Sequence, residues 1–185
     1  MVKATTSSGA LNAIENCELI IPSIPHILNG TRPGQIVFKN LPEISDQKGA
    51  SYNDETIPGR VVPIKTFSHG ENRSISVTAS FYTIEENDEV RNIDVLRAIQ
   101  SAVYPRDADK SMPYFPPPIC KFKCGKLLSK DYLCVVMKNY NVKFDTSVPW
   151  GVKTYLPYKL EISMDFDVVY SSKRLPGSEM IMLDS

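Results

Sequence analysis

Tyr158-Lys159-Leu160-Glu161-Ile162-Ser163-Met164-Asp165-Phe166-Asp167-Val168 decides the fold class. Its even positions (Tyr158, Leu160, Ile162, Met164, Phe166, Val168) are aromatic or aliphatic, and its odd positions (Lys159, Glu161, Ser163, Asp165, Asp167) are polar. Successive side chains of a strand point to opposite faces, so this alternation predicts a strand buried on one side and wet on the other. Arg73 to Thr83 repeats the pattern, with Ile75, Val77, Ala79 and Phe81 set against Ser74, Ser76, Thr78, Ser80 and Tyr82.

Shorter strands surround these two. Ile36 to Phe38 gives one ending near Pro42, and Val62 to Phe67 another, with Pro63 at its start or on an edge. Residues 46–57 are polar and weakly patterned, Ile57-Pro58-Gly59-Arg60 is a turn, and His69-Gly70-Glu71-Asn72 reads as a hairpin connection. Later, Ile119 to Cys124 alternates up to a turn at Gly125. Tyr132 to Phe144 sets Tyr140, Val142 and Phe144 against Asn139, Asn141 and Lys143, and residues 145–151 form a loop. A helix over about 88–103 follows from Val90, Ile93, Leu96, Ile99 and Val103, capped by Asn87 or Asp88 and ended by Pro105. About seven strands with one flanking helix predict a mainly β fold, an antiparallel sandwich or barrel.

The domain spans residues 34–171. Residues 1–33, punctuated by Pro22, Pro25 and Pro33, read as an extended N-terminal arm, and 172–185 as a C-terminal tail. Residues 105–118 are proline-rich, with Tyr114 and Phe115 between the prolines. They read as a stiff connection over the domain, a protruding contact loop, or a polyproline ligand for an aromatic groove.

Charge and targeting signals exclude several classes. Lys and Arg number 21 and Asp and Glu 21, without the basic excess of a general nucleic-acid binder or a polybasic membrane-surface protein. No apolar stretch resembles a secretory signal or a bilayer span, and the Asn29 and Asn72 triplets carry no weight without secretion. Four Cys in 185 residues suggest reduced thiols rather than a disulfide scaffold.

Catalytic patterns are weak. Cys120 and Cys124 stand four residues apart on one strand, which separates their sulfurs by roughly 13 Å, so they read as buried thiols rather than metal ligands. Ser68 and His69 are adjacent, His26 lies among prolines, and neither a nucleophile elbow nor a phosphate loop occurs. Glu85-Glu86 and Asp88-Glu89 look like the solvated start of the helix. No enzyme activity, cofactor or metal is expected. Glu161, Asp165 and Asp167 share the polar side of the last strand, either as a solvated face or as a channel wall that repels nucleic acid.

One block resembles a known family. Glu43-Ile44-Ser45-Asp46-Gln47-Lys48-Gly49-Ala50-Ser51-Tyr52 precedes Ile57-Pro58-Gly59-Arg60, Pro63-Ile64-Lys65-Thr66-Phe67-Ser68 and Glu71-Asn72-Arg73-Ser74-Ile75-Ser76. Val103-Tyr104-Pro105, Pro116-Pro117-Pro118 and the final alternating strand then follow in order. This order is similar to that of baseplate hub and tail-tube initiator or adaptor proteins of contractile-tailed phages and related injection systems. The similarity covers roughly residues 35–170, and the LysM module that many relatives append is not expected here.

The resemblance implies a tube-like β domain in a structural virion protein, assembled in the host cytoplasm. Its partners would be itself in a ring, a hexamer, and other baseplate, tube, wedge or sheath proteins. Genome DNA would pass without sequence-specific binding, and no membrane insertion is implied. Within that picture Glu161, Asp165 and Asp167 are candidates for the lumen face, and Arg60, Arg73, Tyr114 and Phe115 for contacts between subunits. Two alternatives stand beside it: an adaptor outside the tube, and a monomeric ligand-binding β-sandwich using Trp150, Tyr155 and Tyr158. A hydrolase on a β scaffold is a more remote third.

Overall fold

The two alternating runs lie side by side in the computed structural model, which describes residues 17–84, 88–105, 116–125, 127–128, 131–145 and 147–170. Among these residues there are nine strands: β1 (Cys17–Ile20), β2 (Gln35–Val37), β3 (Glu43–Gln47), β4 (Ala50–Glu55), β5 (Ile64–Gly70), β6 (Ser74–Tyr82), β7 (Cys120–Cys124), β8 (Leu133–Phe144) and β9 (Lys159–Val168). One helix, α1 (Asp88–Val103), falls between β6 and β7. Seven strands form an antiparallel sheet in the order β2-β1-β7-β8-β9-β6-β3, and β4 pairs with β5 in a separate two-stranded ribbon. The fold is therefore mainly β with a flanking helix, as the alternation predicts. No helix among the described residues is long and apolar enough to cross a membrane.

The alternation translates directly into packing. Ile75, Val77, Ala79 and Phe81 of β6 are buried beside Leu160, Ile162, Met164, Phe166 and Val168 of β9. In β8 the inward parity changes from Val135 and Met137 to Tyr140 and Val142, and a bulge between Met137 and Asn139 absorbs the change. The sheet also curls. Phe38, next to β2 at one edge, lies 5.9 Å from Phe81 on β6, five strands away in the sheet order. A flat sheet would separate those strands by about 24 Å. Phe122 on β7 completes the closure, at 6.4 Å from Phe38 and stacked 5.7 Å from Phe166.

α1 packs against β8 and β6 through Val95, Leu96, Ala98, Ile99 and Ala102. Its bounds are those expected, but the buried stripe is rotated: Val90 is exposed, and two alanines lie close to the sheet instead. Asp88 anchors the first turn, accepting from the Ile84 N–H at 3.3 Å and pairing with Lys39 at 3.0 Å.

Three other expectations need correction. The boundary at residue 33 cuts through the domain, because β1 is inserted between β2 and β7, with Leu19 and Ile21 fully buried. Prolines 22 and 25 end that strand without excluding it from the core. A polar network fixes it: the Glu18 carboxylate accepts from the Tyr132 hydroxyl and the Gln35 side-chain amide, and Gln35 Oε1 accepts from the Thr31 and Arg32 N–H groups at 3.0 Å. Residues 1–16 of the expected arm and the tail 172–185 lie outside the described residues.

The second correction concerns 46–57, where β3 and β4 occur. They carry little alternation because almost every residue in them is exposed. The third concerns residues 69–72, which are not a hairpin turn. β5 pairs back with β4, and β6 with β3, so this segment is the junction between two stretches of one long ribbon. The true reversal is at Ile57-Pro58-Gly59-Arg60, where Gly59 has φ +88° and the Arg60 N–H donates to the Ile57 carbonyl at 3.1 Å.

Candidate functional site

Two surfaces stand out: the polar face of the curled sheet and the β4–β5 ribbon. The polar face follows from strand register. β3, β6, β9 and β8 place Ser45, Ser76, Asp165 and Asn139 in one cross-strand row, and Glu43, Thr78, Ser163 and Asn141 in the next. Small hydroxyls and carboxylates thus form a continuous hydrogen-bonding surface. Ser76 Oγ donates to Asp165 at 2.7 Å, and the Thr78 and Ser163 hydroxyls lie 3.1 Å apart.

The three acids expected on this face share it, and the sheet supplies bases nearby. Asp167 pairs with Lys138, the bulge residue of β8, at 3.3 Å. Glu161 lies 3.9 Å from Lys159, which also reaches Asp145 at 3.9 Å. The Ser147 hydroxyl and N–H hold Asp145 below the usual carboxylate range, with Lys159 and Lys143 adding to the effect. The face is therefore a mixed-charge surface rather than an acidic stripe. An open groove of about 420 Å³ runs along it, lined by Asn40, Glu43, Thr78, Ser80, Tyr82 and Glu161.

The ribbon extends beyond the sheet by six residues of β4, about 20 Å, before its turn. Tyr52 and Phe67 face each other across it at 5.7 Å, edge to face, and remain 54% and 64% exposed. Ile57, Val61 and Val62 at the tip are exposed as well, Val61 completely. Arg60 shares this tip and is also exposed. The Val61-Val62 pair beside a Pro-Gly turn is the sequence signal that could have marked an apolar tip.

Arg73 is placed differently. Its Nε and Nη2 donate to the two Asp46 oxygens at 2.8 and 2.5 Å, which fastens β3 to the start of β6 within one chain. The Asp46 carboxylate raises the guanidinium pKa further. Tyr114 and Phe115 lie outside the described residues. The aromatic trio divides: Trp150 and Tyr155 are exposed, and Tyr158 is half-buried. Tyr155 adopts φ +55° in a loop tied by the Gly151 N–H to the Leu156 carbonyl and by the Thr154 hydroxyl to Glu89.

Residue chemistry elsewhere is sparse. Ser68 Oγ and His69 Nδ1 are 3.1 Å apart, but on the exposed ribbon, and neither the groove nor a cavity of about 40 Å³ beside Lys39, Asp88 and Arg91 includes them. Among the described residues no three His, Cys, Asp or Glu side chains gather as a metal site requires. Cys120 and Cys124 are buried, as expected on β7, and sequence reasoning missed that Cys17 stands opposite Cys124. Strand register is a long-range property, and nothing near Cys17 announces its partner. No protein-family model matches the chain, and no curated protein matches it.

Proposed function

We propose that the chain is a structural, self-associating subunit of a contractile tail, joining tube to baseplate as a ring of six copies. The observation that carries this reading is the β4–β5 ribbon. A two-stranded ribbon is marginal in water by itself, and this one keeps Tyr52, Phe67, Val61 and Val62 in solvent. Exposed apolar groups gathered on a projecting element mark an interaction surface. In the assembled ring a neighbouring copy covers them.

Other features support the same reading. The main sheet ends in β2 and β3, edge strands that a neighbour can extend. The hydroxyl-rich face with paired acids and lysines suits a channel wall along which DNA moves without sequence-specific binding. The motif order supports a place in the virion, with tube, wedge or sheath proteins as further neighbours. An adaptor outside the tube shares the same domain pattern; three-fold or solitary copies on the particle would favour it. Exposed Trp150 and Tyr155 favour a second reading, a monomeric ligand-binding domain, which requires a monomer with a thermal shift on adding a small sugar or peptide.

Replacing residues 50–70 by an Asn-Gly turn tests the proposal. The full chain forms rings, and the shortened chain retains its β circular dichroism but stays monomeric. A shortened chain that assembles like the full one overturns the role given to the ribbon.

A further inference from the structure

Two thiols on neighbouring strands are positioned for a covalent bond. β1 and β7 pair antiparallel with Cys17 directly opposite Cys124. Both are buried, and both are free thiols. Directly opposed residues of an antiparallel pair have Cα atoms about 4.5 or 5.5 Å apart, inside the range of about 4.4–6.8 Å that a disulfide spans. Their thiol neighbours are poorer partners. Cys120 lies four residues along the strand from Cys124, and Cys134 is exposed, with its own cross-strand partner Lys121.

We propose that Cys17 and Cys124 form a reversible cross-strand disulfide, made by exchange with a low-molecular-weight disulfide such as oxidised glutathione, which locks β1 and β2 to the rest of the sheet. The inference stands on register and burial and is independent of the assembly reading.

The steps follow from the arrangement of the pair. The neighbouring Cys17 thiol lowers the Cys124 pKa, while the Cys124 thiol and, after it, burial raise that of Cys17, so Cys124 is the better thiolate. Cys124 attacks one sulfur of oxidised glutathione and expels a glutathione thiolate, leaving a mixed disulfide. Cys17 then loses its proton to solvent, attacks the Cys124 sulfur and expels the second glutathione. Two protein thiols are oxidised to one disulfide, and one small disulfide is reduced to two thiols. Because both sulfurs are buried, the first attack requires β1 to open. β1 has four residues and carries only the three-residue β2 on its outer side, so opening this end of the sheet disrupts few pairings.

The bond would close a loop of roughly a hundred residues, in the range where a cross-link restricts the unfolded chain most strongly. The test equilibrates the full chain in glutathione buffers of increasing oxidising strength, alkylates the remaining thiols and maps the peptides. The expected product is two hydrogens lighter and yields a Cys17–Cys124 linked peptide. Its melting temperature rises by on the order of 10 °C and falls again with dithiothreitol. Cys134→Ser leaves this behaviour intact, and Cys17→Ser abolishes it. If Cys17→Ser does not fold, differential alkylation of the unmutated chain gives the same answer. Cys17 and Cys124 remaining fully alkylated after denaturation in every buffer, with glutathione found only on Cys134, overturns the proposal. A linked peptide without a rise in melting temperature overturns the lock.

Discussion

The curl of the sheet can be tested by removing two rings that meet only because of it. Phe38 and Phe81 are 5.9 Å apart with their planes at 40°, although their strands stand five places apart in the sheet order. Phe38 is 1% exposed and Phe81 6%, so each ring lies within the core. Replacing either by Leu keeps an apolar side chain and costs about 1–2 kcal/mol. For a chain of this length that lowers the melting temperature by roughly 2–8 °C. The informative quantity is the coupling in the double-mutant cycle. Aromatic pairs contribute about 0.5–1.5 kcal/mol beyond area burial, so Phe38→Leu with Phe81→Leu should cost less than the sum of the singles by that amount. Urea denaturation of the four proteins, with matching slopes, measures it. A coupling within about 0.3 kcal/mol of zero would refute ring contact and with it the curled sheet.

Three further outcomes follow from local geometry. Arg73→Lys should destabilise by about 1–2 kcal/mol in urea, because an ammonium cannot reproduce the two-pronged contact with Asp46; full stability in the Lys variant would show that charge alone suffices. Gly34→Ala should be far more damaging than Gly59→Ala, since both have positive φ but only at Gly34 would a Cβ overlap the Ile21 carbonyl oxygen. Equal melting temperatures for the two variants would contradict that placement of β1. Asp145 should titrate below an ordinary Asp by NMR, and Ser147→Ala should raise its pKa. Because its folded pKa is depressed, its stabilising contribution is present above the unfolded pKa and lost as pH falls through the folded one. An unchanged titration in Ser147→Ala would refute the attribution.

The long regular strands were legible because each buries one whole face, so period and burial agree residue by residue along β6 and β9. β8 held a further clue: its inward positions change parity between Met137 and Tyr140, which is the sequence mark of the bulge at Lys138. The ribbon was hidden for the opposite reason. β4 and β5 are exposed on both sides, so no alternation separates a core face from a wet one. β1 is obscured in the sequence by prolines 22 and 25, which follow closely on Leu19 and Ile21 although both of these are fully buried. The signal was Glu18, a single charge within an apolar run, which the sheet retains by pairing it with Tyr132 and Gln35. For the candidate surfaces, the acids of β9 were evident from parity. The lysine partner of Asp167 was not, because Lys138 belongs to another strand and meets it only through register. The same limitation concealed the internal pairing of Arg73 with Asp46.

Self-association into a ring, proposed above for this chain, can be read by native mass spectrometry of the 185-residue protein followed by two-dimensional class averages of the particles. The expected result is a closed ring of six copies with a central channel. A stable monomer across the whole concentration range would contradict it.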